Sequence, residues 1–152
     1  MYKTKGLLPY LLIIFFNAFV DLGHKILIQN TLYQTSGANQ FSLMSSIINA
    51  LMLLPYIFLF TPSGFIADKF KKTIVLQVTA AAAIPLTLLV TWSYYNGYFH
   101  IAFILTLLLA AQSALNSPAK YGYIKEIFGK SNIAQANAFV QTVAIVSILS
   151  GT

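Results

Sequence analysis

Apolar blocks of about 20 residues recur along the chain, separated by short polar segments. A transmembrane helix needs about 20 predominantly apolar residues, because that length crosses the hydrocarbon core of a bilayer. Five blocks are long enough, and they cover approximately residues 7–28, 43–63, 73–93, 99–118 and 133–152. The sequence therefore predicts an all-α, polytopic helical membrane protein, whose last block is still apolar where the sequence stops.

The composition argues against a water-soluble domain. Of the 152 residues, 58% are hydrophobic and only 8% are charged, whereas a soluble domain carries about 25% charged residues. The chain contains no cysteine, which excludes disulfides and thiolate metal sites within it, and we predict no metal and no cofactor. Its positive charge comes from lysines dispersed between apolar blocks, a pattern that does not favour nucleic acid as a partner.

The lysines alternate between successive connections. They precede the first block and occupy the second and fourth connections, as Lys3, Lys5, Lys69, Lys71, Lys72, Lys120, Lys125 and Lys130. The first and third connections contain none. Because basic residues are retained on the cytoplasmic side, this pattern predicts a multi-pass protein with a cytoplasmic N-terminus. Aromatic residues that favour the headgroup level cluster at the predicted outer ends of the third and fourth blocks, as Trp92, Tyr94, Tyr95 and Tyr98.

Three ionisable residues, Asp21, His24 and Lys25, lie near the predicted outer end of the first block. Their spacing places them on one helix face. A charge at the bilayer centre costs about 2.5–3.5 kcal/mol on insertion scales, so such residues usually face the bundle interior or a wet cavity. We expect Asp21 to face a cavity. Lys25 fits a cavity and the outer interface equally well, and a hydrogen-bonded packing role is favoured over proton relay for His24.

Polar residues also gather at the end of the fourth block. Gln112 and Ser113 suit contacts between helices, because amides bond across and small residues allow close approach. Asn116 lies one turn beyond Gln112, and Lys120 follows at the predicted cytoplasmic membrane edge. A lysine in that position either extends to the interface or binds a phosphate that enters from the bilayer. Asp21, Asn116 and Lys120 are therefore the candidate residues for binding or transport.

The second connection reads "GFIADKFKKT". Gly64 would allow a tight turn where the second helix ends. Asp68 would accept from the free amides at the start of the third helix. Lys69 and Lys72 would hold the connection in the cytoplasm. The simplest interpretation is a short loop with a helix cap and a topological anchor.

The spacing of this connection also resembles the signature loop between helices two and three of the major facilitator superfamily. In that family the aspartate helps to latch the two halves of the transporter in one of its alternating states. The resemblance implies that Gly64, Asp68, Lys69 and Lys72 form a conformational loop. Lys71 stands where the family usually has a second glycine.

A second resemblance is more specific. "NSPAKYGYIKEI" followed by "ANAF" resembles the lysophospholipid transporter branch, whose "SPAKYG" motif is intact at residues 117–122. The resemblance implies a partial N-terminal six-helix half of a twelve-helix protein in the bacterial inner membrane. Such proteins move lysophospholipids, chiefly lysophosphatidylethanolamine, for reacylation. It also implies that Asp21 is the intramembrane aspartate of the substrate cavity and Lys120 the motif lysine, although Leu22 replaces the asparagine usual after that aspartate.

Two alternatives stay open. Some members of this branch are fused to a phospholipid acyltransferase and an acyl-carrier-protein ligase, and a facilitator for another solute, such as a sugar or drug, fits the same helices. We expect no enzyme in this stretch, because His24 and His100 lie in or beside membrane segments and form no acyltransferase-like pair with aspartate. The expected partners are a lysophospholipid, whose acyl chain can remain in lipid, membrane lipids, the remaining helices, and an acyltransferase, fused or separate.

Overall fold

The computed structural model describes residues 6–35, 38–129 and 132–151. Within these ranges the chain forms α-helices and no strand: α1 (Leu7–Thr35), α2 (Ala38–Lys69), α3 (Lys72–Tyr95), α4 (Phe99–Phe128) and α5 (Ile133–Ser150). All five are long and apolar enough to cross a membrane. The prediction of an all-α, polytopic helical protein is confirmed. Lys3, Lys5 and Lys130, which contribute to the predicted orientation, lie outside the described residues.

Most helices are longer than the apolar blocks that predicted them. α1 runs seven residues beyond position 28, and α4 continues ten residues beyond position 118. The apolar block marks only the part of a helix that hydrocarbon requires, and polar residues such as those after position 28 do not interrupt backbone hydrogen bonding. The extension places Asp21 in the middle of α1 and not near its end.

The prolines do not end the helices. Pro55 and Pro62 lie inside α2, Pro85 inside α3 and Pro118 inside α4. Each lacks a backbone donor, but neighbouring helices and side chains in a membrane bundle can satisfy the freed carbonyl.

The connection between α2 and α3 differs from the predicted loop. Gly64 lies inside α2, which continues to Lys69, so the prediction of a tight turn at Gly64 is wrong. Asp68 is exposed in the last turn of α2, while Lys71 precedes α3 and forms no side-chain cap, so the predicted cap at Asp68 is also wrong. Ala67 explains the extension: it is only 3% exposed in the core, and its packing favours one more helical turn.

The core lies at the end of the bundle that holds the α2–α3 and α4–α5 connections. It joins all five helices through buried side chains, among them Tyr10, Ala67, Leu76, Ala119, Ile124 and Val140. The Tyr10 hydroxyl donates to the Lys120 carbonyl at 2.8 Å, which ties α1 to α4. Large apolar side chains such as Phe58 and Phe60 are exposed, as expected of surfaces that contact lipid.

The opposite end of the bundle carries the turn between α3 and α4. Gly97 adopts a positive φ of 72° there, a conformation that favours glycine. The predicted aromatic cluster surrounds this turn: the rings of Trp92 and Tyr98 lie 6.0 Å apart, and Tyr95 is fully exposed to the surroundings. Such rings suit the headgroup level of a bilayer.

An ion pair between α3 and α4 passes over a glycine at the end of the bundle that holds the core. Lys72 Nζ donates to Glu126 Oε1 at 2.9 Å, which links the start of α3 to the last turns of α4. The aliphatic part of Lys72 passes over Gly122, where a Cβ atom would lie 2.6 Å from Lys72 Cε. Glycine at this position of the "SPAKYG" motif therefore leaves the space that the lysine needs to reach its partner.

We expect Gly122→Ala to displace Lys72 and to break its ion pair, which makes it less stable than Gly64→Ala by up to about 1 kcal/mol, because both partners of the pair are partly exposed to solvent. Thermal unfolding of the purified protein in detergent micelles measures the cost. Gly64→Ala is the matched control, since a Cβ there meets no atom within 4 Å and alanine favours a helix over glycine. In the Gly122→Ala background, Glu126→Gln should cost nothing further; an additive cost would contradict this explanation.

Candidate functional site

A cavity of about 210 Å³ lies between α1, α2 and α4. We call it the polar cavity, because it contains an unusual number of polar side chains for the interior of a membrane bundle. They are Asp21, His24 and Lys25 from α1, Asn49 and Tyr56 from α2, and Thr106 from α4. The three ionisable residues that share one face of α1 therefore line one cavity.

The Asp21 carboxylate is held by a serine of α4. Ser113 Oγ lies 2.9 Å from Oδ1 and 2.7 Å from Oδ2, so one hydroxyl donates toward both oxygens. A hydroxyl has a single proton, whereas a carboxylate can accept about four hydrogen bonds. The carboxylate is thus fixed in place by Ser113, and the hydrogen bonds of the described residues leave acceptor capacity for a ligand.

The hydrogen bonds continue from Asp21 across the bundle. Asn17 Nδ2 donates to Ser113 Oγ at 3.1 Å, and Gln112 Nε2 donates to Asn17 Oδ1 at 3.2 Å. Gln112 Nε2 also donates to the Thr79 carbonyl at 3.0 Å. We call these residues, together with Asp21 and Asn116, the polar network; it joins α1, α3 and α4.

Two members of the polar network were not anticipated from the sequence. Asn17 lies one turn before Asp21, and a polar residue four positions before a carboxylate in an apolar helix was the available signal. Thr79 gives no comparable signal, because its role depends on the packing of α3 against α4. The interpretation of Gln112 and Ser113 as contacts between helices agrees with their hydrogen bonds.

His24 is buried, with 5% of its surface exposed, and its Nδ1 atom has no hydrogen-bond partner among the described residues. Buried polar side chains are nearly always hydrogen-bonded, so such an atom requires an explanation. The sequence favoured a packing role in which the imidazole is hydrogen-bonded, and the Nδ1 atom does not make such a bond. The imidazole lines the polar cavity beside Asp21 and Lys25, but Nδ1 itself is closed off from the cavity.

The other two candidate binding residues lie apart from the polar cavity. Asn116 is 2% exposed and accepts from Thr79 Oγ1 at 3.0 Å, between α3 and α4. Lys120 lies seven residues after Ser113, about 10 Å further along α4, and its Nζ is 4.8 Å from the centre of the Tyr121 ring.

The residues of the predicted conformational loop are also separated in the structure. Lys69 Nζ lies over the rings of Phe65 and Phe70, at 5.5 and 5.7 Å from their centres. Lys72 instead reaches Glu126 on α4. Glu126 was not anticipated as a partner, because only the packing of α3 on α4 brings these distant positions together.

The fold and the site define a multi-pass helical membrane protein with a polar cavity inside its membrane-spanning part. Among curated proteins, the chain is similar to a lysophospholipid transporter of Photorhabdus laumondii, with 30% identity over 151 residues. The match covers 98% of this chain and 35% of the relative, so the chain spans about a third of the relative's length. No family model matches the chain, and no solved structure matches it.

Proposed function

We propose that this chain is the N-terminal part of a major-facilitator-type transporter that moves lysophospholipids across the bacterial inner membrane. The observation that carries the proposal is the Asp21 carboxylate, fixed by Ser113 at the wall of a cavity in the middle of α1. A carboxylate within a membrane-spanning helix is costly and usually marks a substrate or ion pathway. The similarity to a lysophospholipid transporter and the intact "SPAKYG" motif support the choice of substrate.

The proposed mechanism follows from the chemistry of the headgroup. A lysophosphatidylethanolamine headgroup contains an ammonium and a phosphate, so its passage requires groups of both charges along the path. Asp21 would accept hydrogen bonds from the ammonium. Lys120 would meet the phosphate as it enters from the bilayer at the core end of α4, and Asn116 would support the packing around this path.

The α2–α3 connection would carry the change between the alternating states. Gly64, Asp68, Lys69 and Lys72 occupy the last turns of α2 and the start of α3, where the described part of the connection is two residues long. The Lys72–Glu126 pair is partly exposed to solvent. Exposed ion pairs contribute little free energy and can exchange partners readily, as a connection that rearranges in each cycle requires.

Uptake measurements test the substrate. Spheroplasts that express the complete protein should take up headgroup-labelled lysophosphatidylethanolamine faster than spheroplasts with an empty vector. An excess of unlabelled lysophospholipid should compete, and an excess of a sugar should not. Uptake equal to the empty vector, with a labelled sugar or drug transported instead, would show that the protein is a facilitator for another solute.

Reporter fusions test the orientation. We expect a reporter placed after Phe70 to lie in the cytoplasm and one placed after Gly97 to lie outside it. The reason is that the lysines cluster at the end of the bundle that holds the α2–α3 connection, and basic residues are retained in the cytoplasm. Paired alkaline phosphatase and fluorescent protein fusions measure the compartment of each site. Activity of both fusions in the same compartment would contradict the proposed threading.

A further inference from the structure

A second cavity, of about 460 Å³, lies closer to the α3–α4 turn. Its lining is mostly apolar and comes from α1, α2 and the neighbourhood of that turn, including Ile28, Met44, Ile48, Leu51, Phe99 and Phe103. We call it the apolar cavity. It is the larger of the two and contains none of the acidic residues of the chain.

The two cavities follow one another along the same helices. On α1, Ile28 of the apolar cavity lies one turn beyond Lys25 of the polar cavity. On α2, Ile48 directly precedes Asn49, and on α4 Phe103 lies one turn before Thr106. One helical turn is about 5.4 Å, so the two cavities are neighbours along these helices, and we infer that they act as one groove that is charged at one end and apolar at the other.

The polar end of this groove matches a zwitterion. Asp21 and Lys25 supply opposite charges one turn apart on α1. A carboxylate and an ammonium on one wall of a cavity together suit a ligand that carries both charges.

We propose that this groove binds one lysophospholipid molecule lengthwise, with its headgroup in the polar cavity and its acyl chain in the apolar cavity. The proposal rests on the function proposed above and adds where the acyl chain lies. The apolar cavity, of about 460 Å³, is more than twice the volume of the polar cavity and is lined mostly by apolar side chains, as a site for an acyl chain requires. The acyl chain is thus bound by protein, whereas the interpretation of the sequence left the acyl chain in lipid.

The geometry also gives the direction of the bound molecule. The headgroup lies near the middle of α1, and the acyl chain points toward the α3–α4 turn. If that turn faces outward, as the lysines predict, the molecule has the orientation of a lipid in the inner leaflet.

Filling the apolar cavity tests the proposal. Ile48→Trp would place a large ring where the acyl chain is proposed to lie. Ile47→Trp is the matched control, because Ile47 is the neighbouring residue of the same type, 47% exposed and outside both cavities. The complete protein is reconstituted in liposomes, and transport of lysophosphatidylethanolamine with a long or a short acyl chain is measured for each variant.

We expect Ile48→Trp to lower transport of the long-chain substrate about tenfold, since overpacking an apolar site costs about 1–3 kcal/mol. Transport of the short-chain substrate should change less than twofold, which also shows that the variant is folded. Ile47→Trp should change neither. A photoreactive group at the end of the long chain should label peptides that contain Ile48 or Phe103 in the wild-type protein.

Three results would overturn the proposal in distinguishable ways. If Ile48→Trp transports each substrate as fast as the wild type does, and the photoreactive group labels other peptides, the acyl-chain site is wrong. The proposed function would then stand. Equal loss of both substrates in Ile48→Trp, with labelling elsewhere, would show that other helices of the protein fill this cavity. Absence of lysophospholipid transport by the wild type would remove the proposed function and this site together.

Discussion

Replacing Asp21 by asparagine is expected to lower lysophospholipid uptake about 10- to 100-fold in the complete protein while leaving it folded. A hydrogen bond to a charged group contributes about 1.5–3 kcal/mol, which corresponds to that range. Asparagine keeps an oxygen that can accept from Ser113 Oγ, now 2.7 Å from Oδ2, so the link between α1 and α4 survives. What is lost is the negative charge that would pair with the ammonium of the headgroup.

Uptake of headgroup-labelled lysophosphatidylethanolamine by spheroplasts measures this effect at matched expression. Asn30→Ala is the control on the same helix, because Asn30 is exposed and lines neither cavity. It should transport at the wild-type rate. A lysophospholipid with a choline headgroup, which cannot donate hydrogen bonds but keeps its charge, separates charge pairing from hydrogen bonding. Undiminished uptake by Asp21→Asn would remove Asp21 from the transport path.

Replacing Gln112 by leucine is expected to lower the free energy of unfolding by about 1–3 kcal/mol, the cost of leaving a buried polar group unsatisfied. Gln112 is 6% exposed, and its side-chain nitrogen donates to both Asn17 and the Thr79 carbonyl. Leucine has a similar size but makes neither bond. In a membrane bundle no water replaces the missing donor, so Asn17 Oδ1 loses its partner from α4.

Denaturation in mixed detergent micelles, followed by circular dichroism, measures this loss. Gln77→Leu on α3 is the matched control, since Gln77 is exposed and the same substitution there should change stability by less than about 0.5 kcal/mol. The double variant Asn17→Ala with Gln112→Leu should be less destabilised than the sum of the two single variants, because they share one interaction. Equal stability of Gln112→Leu and the wild type would mean that the network does not hold α1, α3 and α4 together.

The helices were predictable because hydropathy reports directly on the length that must lie in hydrocarbon. Their ends were less predictable, since backbone hydrogen bonding continues past the apolar residues wherever nothing interrupts it. Gly64 and Asp68 illustrate this limit. Both residue types are common at helix ends, yet the packing of Ala67 in the core carries α2 through Gly64 and beyond Asp68 to Lys69.

The site was predictable only in part. Asp21 stood out because an ionisable residue in an apolar block is rare and costly, and the structure places it at the wall of a cavity. Lys120 and Asn116 also stood out, as polar residues of an apolar block and by resemblance to a family motif. Lys120 lies two turns of α4 away from that cavity, and Asn116 is packed against α3. Their predicted role in transport stays a prediction.

By itself, the sequence determined that this protein is a bundle of membrane-crossing helices with a few polar residues inside it. Apolar length and helical spacing act along one chain, so they can be read without knowing which helices touch. The tertiary structure alone decided that Ser113 holds Asp21, that Lys72 reaches Glu126 over Gly122, and that a polar and an apolar cavity lie next to one another along the same helices. These features depend on contacts between positions far apart in sequence, and only the packing of the helices sets which side chains meet.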